Sequence, residues 1–223
     1  MATSPSRRFK DDGFEQFARI GKAVASPKRL ELLDILCQGP RTVEVLADQA
    51  SLTLANASQH LQVLRAARLI EAEKSGLFVT YRLAEGVEGF CLGLRHLAEV
   101  RLAEIEATTR AWLEQRGAME SVHGSELLKR ALSGDVTVLD VRPVEEYRAG
   151  HLPNARSVPL AELRARMGEL PLDRAVVAYC RGPYCVLAVE AVRVLRREGF
   201  TALRLETGPP DWRAAGVPVE SGA

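Results

Sequence analysis

Ala175-Val176-Val177-Ala178-Tyr179-Cys180-Arg181-Gly182-Pro183-Tyr184-Cys185-Val186-Leu187 decides how the second half of this 223-residue chain folds. The apolar run 175–179 reads as a buried parallel strand, and Val186 to Val192 reads as a helix. A cysteine at a strand end, with backbone amides curling toward a helix N-terminus, sits in a positive potential. That setting favours thiolate over thiol and can cradle an anion. Cys180 to Cys185 therefore points to sulfur chemistry, with Cys180, Arg181, Gly182, Tyr184 and Cys185 as candidate site residues.

Working outward, Val136 to Arg142 is a second strand that ends in Asp140 and Arg142. Glu145 to Ala155 follows, then Ser157-Val158-Pro159-Leu160, and after the cysteine loop and its helix, Ala202 to Glu206. Strands alternating with helices predict a parallel sheet with helices on both faces. Such sheets bind ligands at the carboxyl ends of their strands, which is where Cys180 falls.

The first half has another character. Phe14, Phe17, Ile20 and Val24 recur at helical spacing. Ser26-Pro27 starts a second helix, with Leu30, Leu33 and Leu36 on one face, and Gly39-Pro40 ends it. Thr42 opens a short helix to Ala50, and Ser51-Leu52-Thr53 connects it to another from about Leu54 to Arg68. Two short helices so joined match a helix-turn-helix. Residues 70–74 and 77–83, separated by Ser75-Gly76, read as a β-hairpin, which makes the whole a winged helix.

The second of these helices carries residue types suited to DNA. Thr53, Asn56, Ser58, Gln59 and His60 cluster at its start, with Leu61, Val63 and Leu64 expected to face the core. Asn and Gln suit adenine edges, Ser and His suit phosphates, and Arg65, Lys74 and Arg82 would neutralise backbone charge. For any one of them a solvated surface role is the simpler account; the arrangement as a whole favours nucleic acid over protein contacts. Charge alone decides nothing, since the chain carries a net +1.

The two halves are expected to be separate domains, 1–118 and 119–223, joined around Arg116 to Gly124. The four cysteines, Cys37, Cys91, Cys180 and Cys185, are too few for a disulfide scaffold and lack paired zinc spacing. The polar N-terminus has no signal-peptide core, and no apolar run reaches membrane-spanning length. The expectation is a reduced, cytoplasmic protein without membrane contact or cofactor.

In residues 13–116 the chain resembles the ArsR/SmtB family of bacterial repressors, through Ala25 to Leu33, Ser58 to Leu64 and Tyr81-Arg82-Leu83. The resemblance implies a homodimer that binds a palindromic, double-stranded operator and leaves it when an inducer binds. Gly89 to Glu114 would be a long terminal helix whose apolar face, including Phe90, Leu94, Leu97, Ile105 and Trp112, meets a two-fold partner. Metal sensing is not expected. The helix from Thr42 has no cysteine, and His96 and Glu99 lack the second spaced pair. Some relatives sense persulfide by linking thiols on the second and terminal helices. Cys37 is so placed; Cys91 lies early for its partner, and packing is the simpler account of both.

Residues 124–219 resemble the rhodanese, or sulfurtransferase, domain. Asp140-Val141-Arg142, Glu145-Glu146-Tyr147, Gly150-His151-Leu152-Pro153, Ala155 and the strand–cysteine loop carry the likeness. It implies that Cys180 carries a sulfane sulfur as a persulfide, while Asp140 and Arg142 hold the loop or form a structural ion pair. Three departures stand out: Asn154 where glycine is usual, Thr207 to Asp211 in place of a paired-glycine turn, and Pro183, which removes one N–H from the cradle. Val186 stands where a phosphatase loop would need arginine, so phosphate chemistry is rejected. Cys185 is either a resolving thiol or a small filler.

These expectations combine into a sulfur-responsive repressor that takes sulfur from thiosulfate, persulfide or polysulfide at Cys180. An active sulfurtransferase with a tethered DNA-binding module, and a Cys180–Cys185 dithiol redox switch, are the competing readings.

Overall fold

The computed structural model describes residues 4–76, 78–117 and 124–222. It divides into two compact units, Met1–Cys91 and Leu92–Ala223. The expected linker around 116–124 falls largely outside the described residues.

The first unit opens with α1 (Pro5–Val24), whose first turn is closed by Ser4, its hydroxyl accepting from the Arg7 N–H at 3.3 Å. Next come α2 (Pro27–Leu36), β1 (Arg41–Thr42), α3 (Val43–Gln49) and α4 (Leu54–Ala66). Thr53 caps α4 by accepting from the Asn56 N–H at 3.3 Å. Arg68 then adopts φ +60°, which turns the chain out of helical geometry. The wing follows as β2 (Ile70–Ser75) and β3 (Phe78–Leu83), antiparallel, with Gly76 between them at φ +61°. The left-handed turn suits glycine, which has no Cβ to clash. The short β1, unforeseen in the sequence, pairs with the other edge of β3.

Leu32, Leu33, Leu36, Leu46, Leu61, Leu64, Leu69 and Ile70 form the core that fixes α3 and α4 against α2 and the wing. One expectation changes. Val63 is 39% exposed rather than buried, because it lies between Leu61 and Leu64 on the outer arc of α4. Phe14 and Phe17 stay 68% and 70% exposed, touching each other edge to face at 5.8 Å.

The expected continuous terminal helix is two helices: α5 (Val87–Arg101) and α6 (Ala103–Glu114). Leu102 breaks them with an extended backbone, φ −116° and ψ 95°. No proline or glycine marks the break, so apolar periodicity runs through it unseen. The unit boundary falls within α5.

The second unit continues with α7 (Gly124–Ser133), β4 (Thr137–Asp140), α8 (Val144–Ala149), β5 (Arg156–Ser157), α9 (Leu163–Arg166), β6 (Val176–Tyr179), α10 (Leu187–Arg197), β7 (Ala202–Leu205) and α11 (Pro209–Ala214). Its sheet has the order β5-β4-β6-β7, all parallel. Side-chain alternation sorts β6 between the two faces. Val176 and Ala178 pack with Ala188, Ala191, Val192 and Leu195 of α10 and with Leu163 of α9. Val177 and Tyr179 pack with Leu127 of α7 and Trp212 of α11. The same alternation aims Cys180, the next residue, toward α10.

Candidate functional site

Cys180 lies at the carboxyl end of β6, in the middle of the sheet. It is 2% exposed and enclosed by the apolar layer beneath α10. Its Sγ donates to the Cys185 carbonyl at 3.4 Å. Cys185 is only partly buried and sits two residues before α10. The backbone turns between them, with the Cys185 N–H donating to the Gly182 carbonyl at 3.2 Å and Gly182 at φ +149°.

Backbone amides of the loop and of the first turn of α10 divide between the two sulfurs. Gly182 and Ala188 N–H groups point to Cys180, and those of Arg181 and Leu187 to Cys185. The outcome for Cys180 differs from the thiolate expected of a strand-end cysteine. Burial pushes its thiol well above the ordinary range, and the two amides do not offset that cost. Cys185 moves the other way, down to about 7, because the Cys180 thiol donates to it and the Arg181 and Leu187 amides add to that. The pair ionises as a unit, and the charge rests on Cys185.

Arg181 belongs to the scaffold. Its Nε and Nη2 grip the Glu146 carboxylate at 2.6–3.2 Å, and Glu146 is fully buried on α8. This bidentate pair ties the loop's start to α8. Glu146 stands in the Glu145-Glu146-Tyr147 motif, and only the fold brings it to Arg181. Asp140 and Arg142 form a second buried pair, Nη2 to Oδ2 at 2.5 Å, and Arg142 also donates to the Gly150 carbonyl at 2.6 Å. These bonds hold the turn after α8, the structural side of the two roles considered. Asn154 sits in that region at φ +63°, a conformation glycine and asparagine both accept.

Gly208 backs the loop from behind. A Cβ there would fall 2.3 Å from the Arg181 carbonyl oxygen and 2.8 Å from that of Cys180. Its N–H donates to Asp211 Oδ2 at 2.9 Å, and Asp211 pairs with Arg95 of α5. Tyr184, half exposed on the loop, donates its hydroxyl to Glu99 of α5 at 2.8 Å. Burial and that acceptor together push the Tyr184 phenol up to about 12. Glu99, considered in the sequence only as a metal ligand, thus serves the loop. Among the described residues no group of three or more His, Cys, Asp or Glu is arranged to hold a metal. None of the described helices is long and apolar enough to cross a membrane.

In the first unit, Thr53, Asn56, Gln59 and Arg65 are exposed on α4, with Ser58 and His60 partly so. Lys74 and Arg82 are exposed on the wing, where Arg82 pairs with Glu71 across the strands. Core leucines fix one side of α4, so its polar side faces outward as a set.

Cys37, just beyond α2, and Cys91, in the second turn of α5, hydrogen-bond one another. This corrects the expectation that Cys91 lies too early for a partner: α5 begins at Val87, and Cys91 packs against the core of the first unit. Donating to Cys91, together with burial, raises Cys37, while accepting from Cys37 lowers Cys91.

Comparison with known proteins finds two families in the same chain. Residues 26–72 match the bacterial regulatory protein, arsR family, and residues 124–215 the rhodanese-like domain. The HTH-type transcriptional regulator Rv0324 of Mycobacterium tuberculosis is 44% identical over 94% of this chain and 92% of its own length. A sulfurtransferase of Allochromatium vinosum is 34% identical over 43% of this chain and 90% of its own. The homodimeric winged helix-turn-helix DNA-binding domain of Mb0332 from Mycobacterium bovis is 37% identical, covering 46% of this chain and 94% of that domain, with a TM-score of 0.42. Two family matches in tandem, and a relative alike along nearly the whole length, give one conclusion: the chain belongs to the ArsR family of bacterial transcriptional regulators, in a form whose DNA-binding helix-turn-helix is followed by a rhodanese-like domain.

Proposed function

We propose that this regulator is a cytoplasmic repressor whose hold on operator DNA is set by sulfane sulfur at the Cys180–Cys185 loop. The observation that carries the reading is a pair of neighbouring thiols, with the Cys180 Sγ donating to the Cys185 carbonyl at 3.4 Å, at the strand end of a rhodanese-like domain tethered to a helix-turn-helix. Thiosulfate, a persulfide or a polysulfide is the donor. Residues 1–118 serve as the DNA-binding and dimerisation domain, and 119–223 as the sulfur-binding one.

A homodimer on a two-fold operator fits the exposed apolar side chains. Phe14 and Phe17 on α1, and Leu97 and Val100 on α5, are large and uncovered, and a second copy supplies the cover. Asn56 and Gln59 read base edges, while Thr53, Ser58, His60, Arg65, Lys74 and Arg82 contact the backbone. The sulfur signal leaves through α5, where Glu99 holds Tyr184 and Arg95 holds Asp211 behind the loop. A sulfur atom or disulfide added within so closed a loop displaces Tyr184, and with it the grip on α5.

The experiment is operator binding by fluorescence anisotropy, with and without polysulfide, for the wild-type protein and Cys180→Ser/Cys185→Ser. The wild type should lose about tenfold or more in affinity, a coupling of about 1.4 kcal/mol, and the double variant should not. Equal release in both would defeat the reading. The hydrogen-bonded Cys37–Cys91 pair favours a second one, in which the first unit senses sulfur itself. Release that survives in the double variant and disappears in Cys37→Ser would establish it.

A further inference from the structure

Away from the sulfur loop, the far end of α10 and the end of α6 enclose an open cavity of about 350 Å³. Val189 and Val192 line it together with four arginines, Arg116, Arg193, Arg196 and Arg197, and no carboxylate lines it among the described residues. Helical spacing explains the grouping. Positions 189, 192, 193, 196 and 197 share one side of α10, where Leu113 of α6 is buried against Val189.

Two of the arginines build the wall. Arg196 donates from Nε to the Ala202 carbonyl at 2.9 Å and from Nη1 to the Gly117 carbonyl at 3.2 Å. Arg116 lies over the Trp112 ring at 4.0 Å and donates to the Trp112 carbonyl at 3.2 Å. The Leu113 and Glu114 carbonyls at the end of α6 accept from the Arg116 and Gly117 N–H groups at 3.1 Å. The partial negative charge of that helix end is thereby engaged, and the guanidiniums set the potential of the cavity.

Arg193 and Arg197 stand one turn apart and exposed. Among the described residues Arg193 pairs only with Glu190, at 3.3 Å in an exposed and therefore weak contact, and Arg197 pairs with no carboxylate. Like charges so spaced on a helix repel one another. An anion seated between them removes that repulsion and meets two planar forks, the geometry that phosphate matches. The valines add an apolar floor, which a ring or hydrocarbon covers and a bare inorganic ion does not. Arg116, already laid over one ring, offers a stacking surface to a second. The volume lies within the range of small-molecule sites, roughly 300–1,000 Å³.

We propose that this cavity binds a small organic phosphate of mononucleotide size. Its phosphate sits in the forks of Arg193 and Arg197, and its ring on Val189, Val192 and the Arg116 guanidinium. The site is separate from the sulfur chemistry and does not depend on it. Arg193 and Arg197 lie well beyond Cys185 along the chain, roughly 12–18 Å away at the helical rise per residue.

Isothermal titration calorimetry of the full-length protein with ADP, in EDTA and at fixed ionic strength, tests the proposal. One ADP should bind per chain, at least about tenfold more tightly than adenosine, which lacks the phosphates, or pyrophosphate, which lacks the ring. Arg193→Ala/Arg197→Ala should keep its melting temperature in ADP-free buffer and bind ADP at least about tenfold more weakly. Lys74→Ala, on the wing, should bind ADP as the wild type does. Absence of ADP binding, adenosine or pyrophosphate binding as tightly as ADP, undiminished affinity in the double variant, or weakened affinity in Lys74→Ala would overturn the proposal. So would a smaller salt dependence of operator binding in the double variant, which would assign these arginines to DNA. If the alanine pair melts early, Arg193→Gln/Arg197→Gln takes its place under the same criteria.

Discussion

At Cys185 the balance of burial against hydrogen bonding goes to the charged form, and at Cys180 it goes the other way. The sign of the consequence is set by a lowered thiol: Cys185 is protonated and slow below about 7, and ionised and fast above it. Its alkylation rate should therefore rise through about pH 7 and then level off, as followed by peptide mapping after iodoacetamide. In Cys180→Ala the donor to Cys185 is gone, so the midpoint should move up toward the ordinary thiol range; an unmoved midpoint would mean that the thiol–thiol bond has no effect. Gly208 makes a second residue-scale prediction. A methyl there meets backbone, not a flexible side-chain end. Gly208→Ala should cost about 1–3 kcal/mol through forced displacement of the Arg181 carbonyl. Urea denaturation monitored at Trp212, which is buried beside Tyr179, measures it.

Among the elements, α4 owes its outward polar side to the leucines that pin its inner one. Gln59, exposed near its start, should contribute sequence-specific contact: Gln59→Ala is expected to weaken operator binding by about 1–3 kcal/mol while leaving non-specific binding nearly unchanged. Lys74 on the wing should behave oppositely, its removal lowering the salt dependence by about one counterion for every sequence alike. Anisotropy titrations at several salt concentrations separate the two. The element hardest to foresee was the terminal helix. Residues 89–114 carry an unbroken apolar periodicity, yet Leu102 interrupts the helix. Periodicity reports which side of a helix is apolar and is silent on a bend made without proline or glycine.

In the whole molecule, the uncovered aromatics on α1 are where the proposed assembly can be tested. Phe17→Asp places a charge on a side chain that is 70% exposed in the single chain, so it should barely alter folding. Sedimentation should nevertheless show a shift from dimer to monomer, with loss of two-fold operator binding; a variant still dimeric would remove α1 from the interface. The sequence alone determined the two architectures and their order, because helical and strand periodicities and the strand–cysteine–helix succession are local patterns. It also exposed the candidate DNA-contacting set on α4 and the sulfur loop. Only the tertiary structure decided which thiol of the loop is buried and which is partly buried, because that depends on the layer α10 lays over β6. Only it paired Arg181 with Glu146, Glu99 with Tyr184, and Cys37 with Cys91. Those partners are brought together by packing of elements far apart in the chain, and no spacing along the sequence encodes such a meeting.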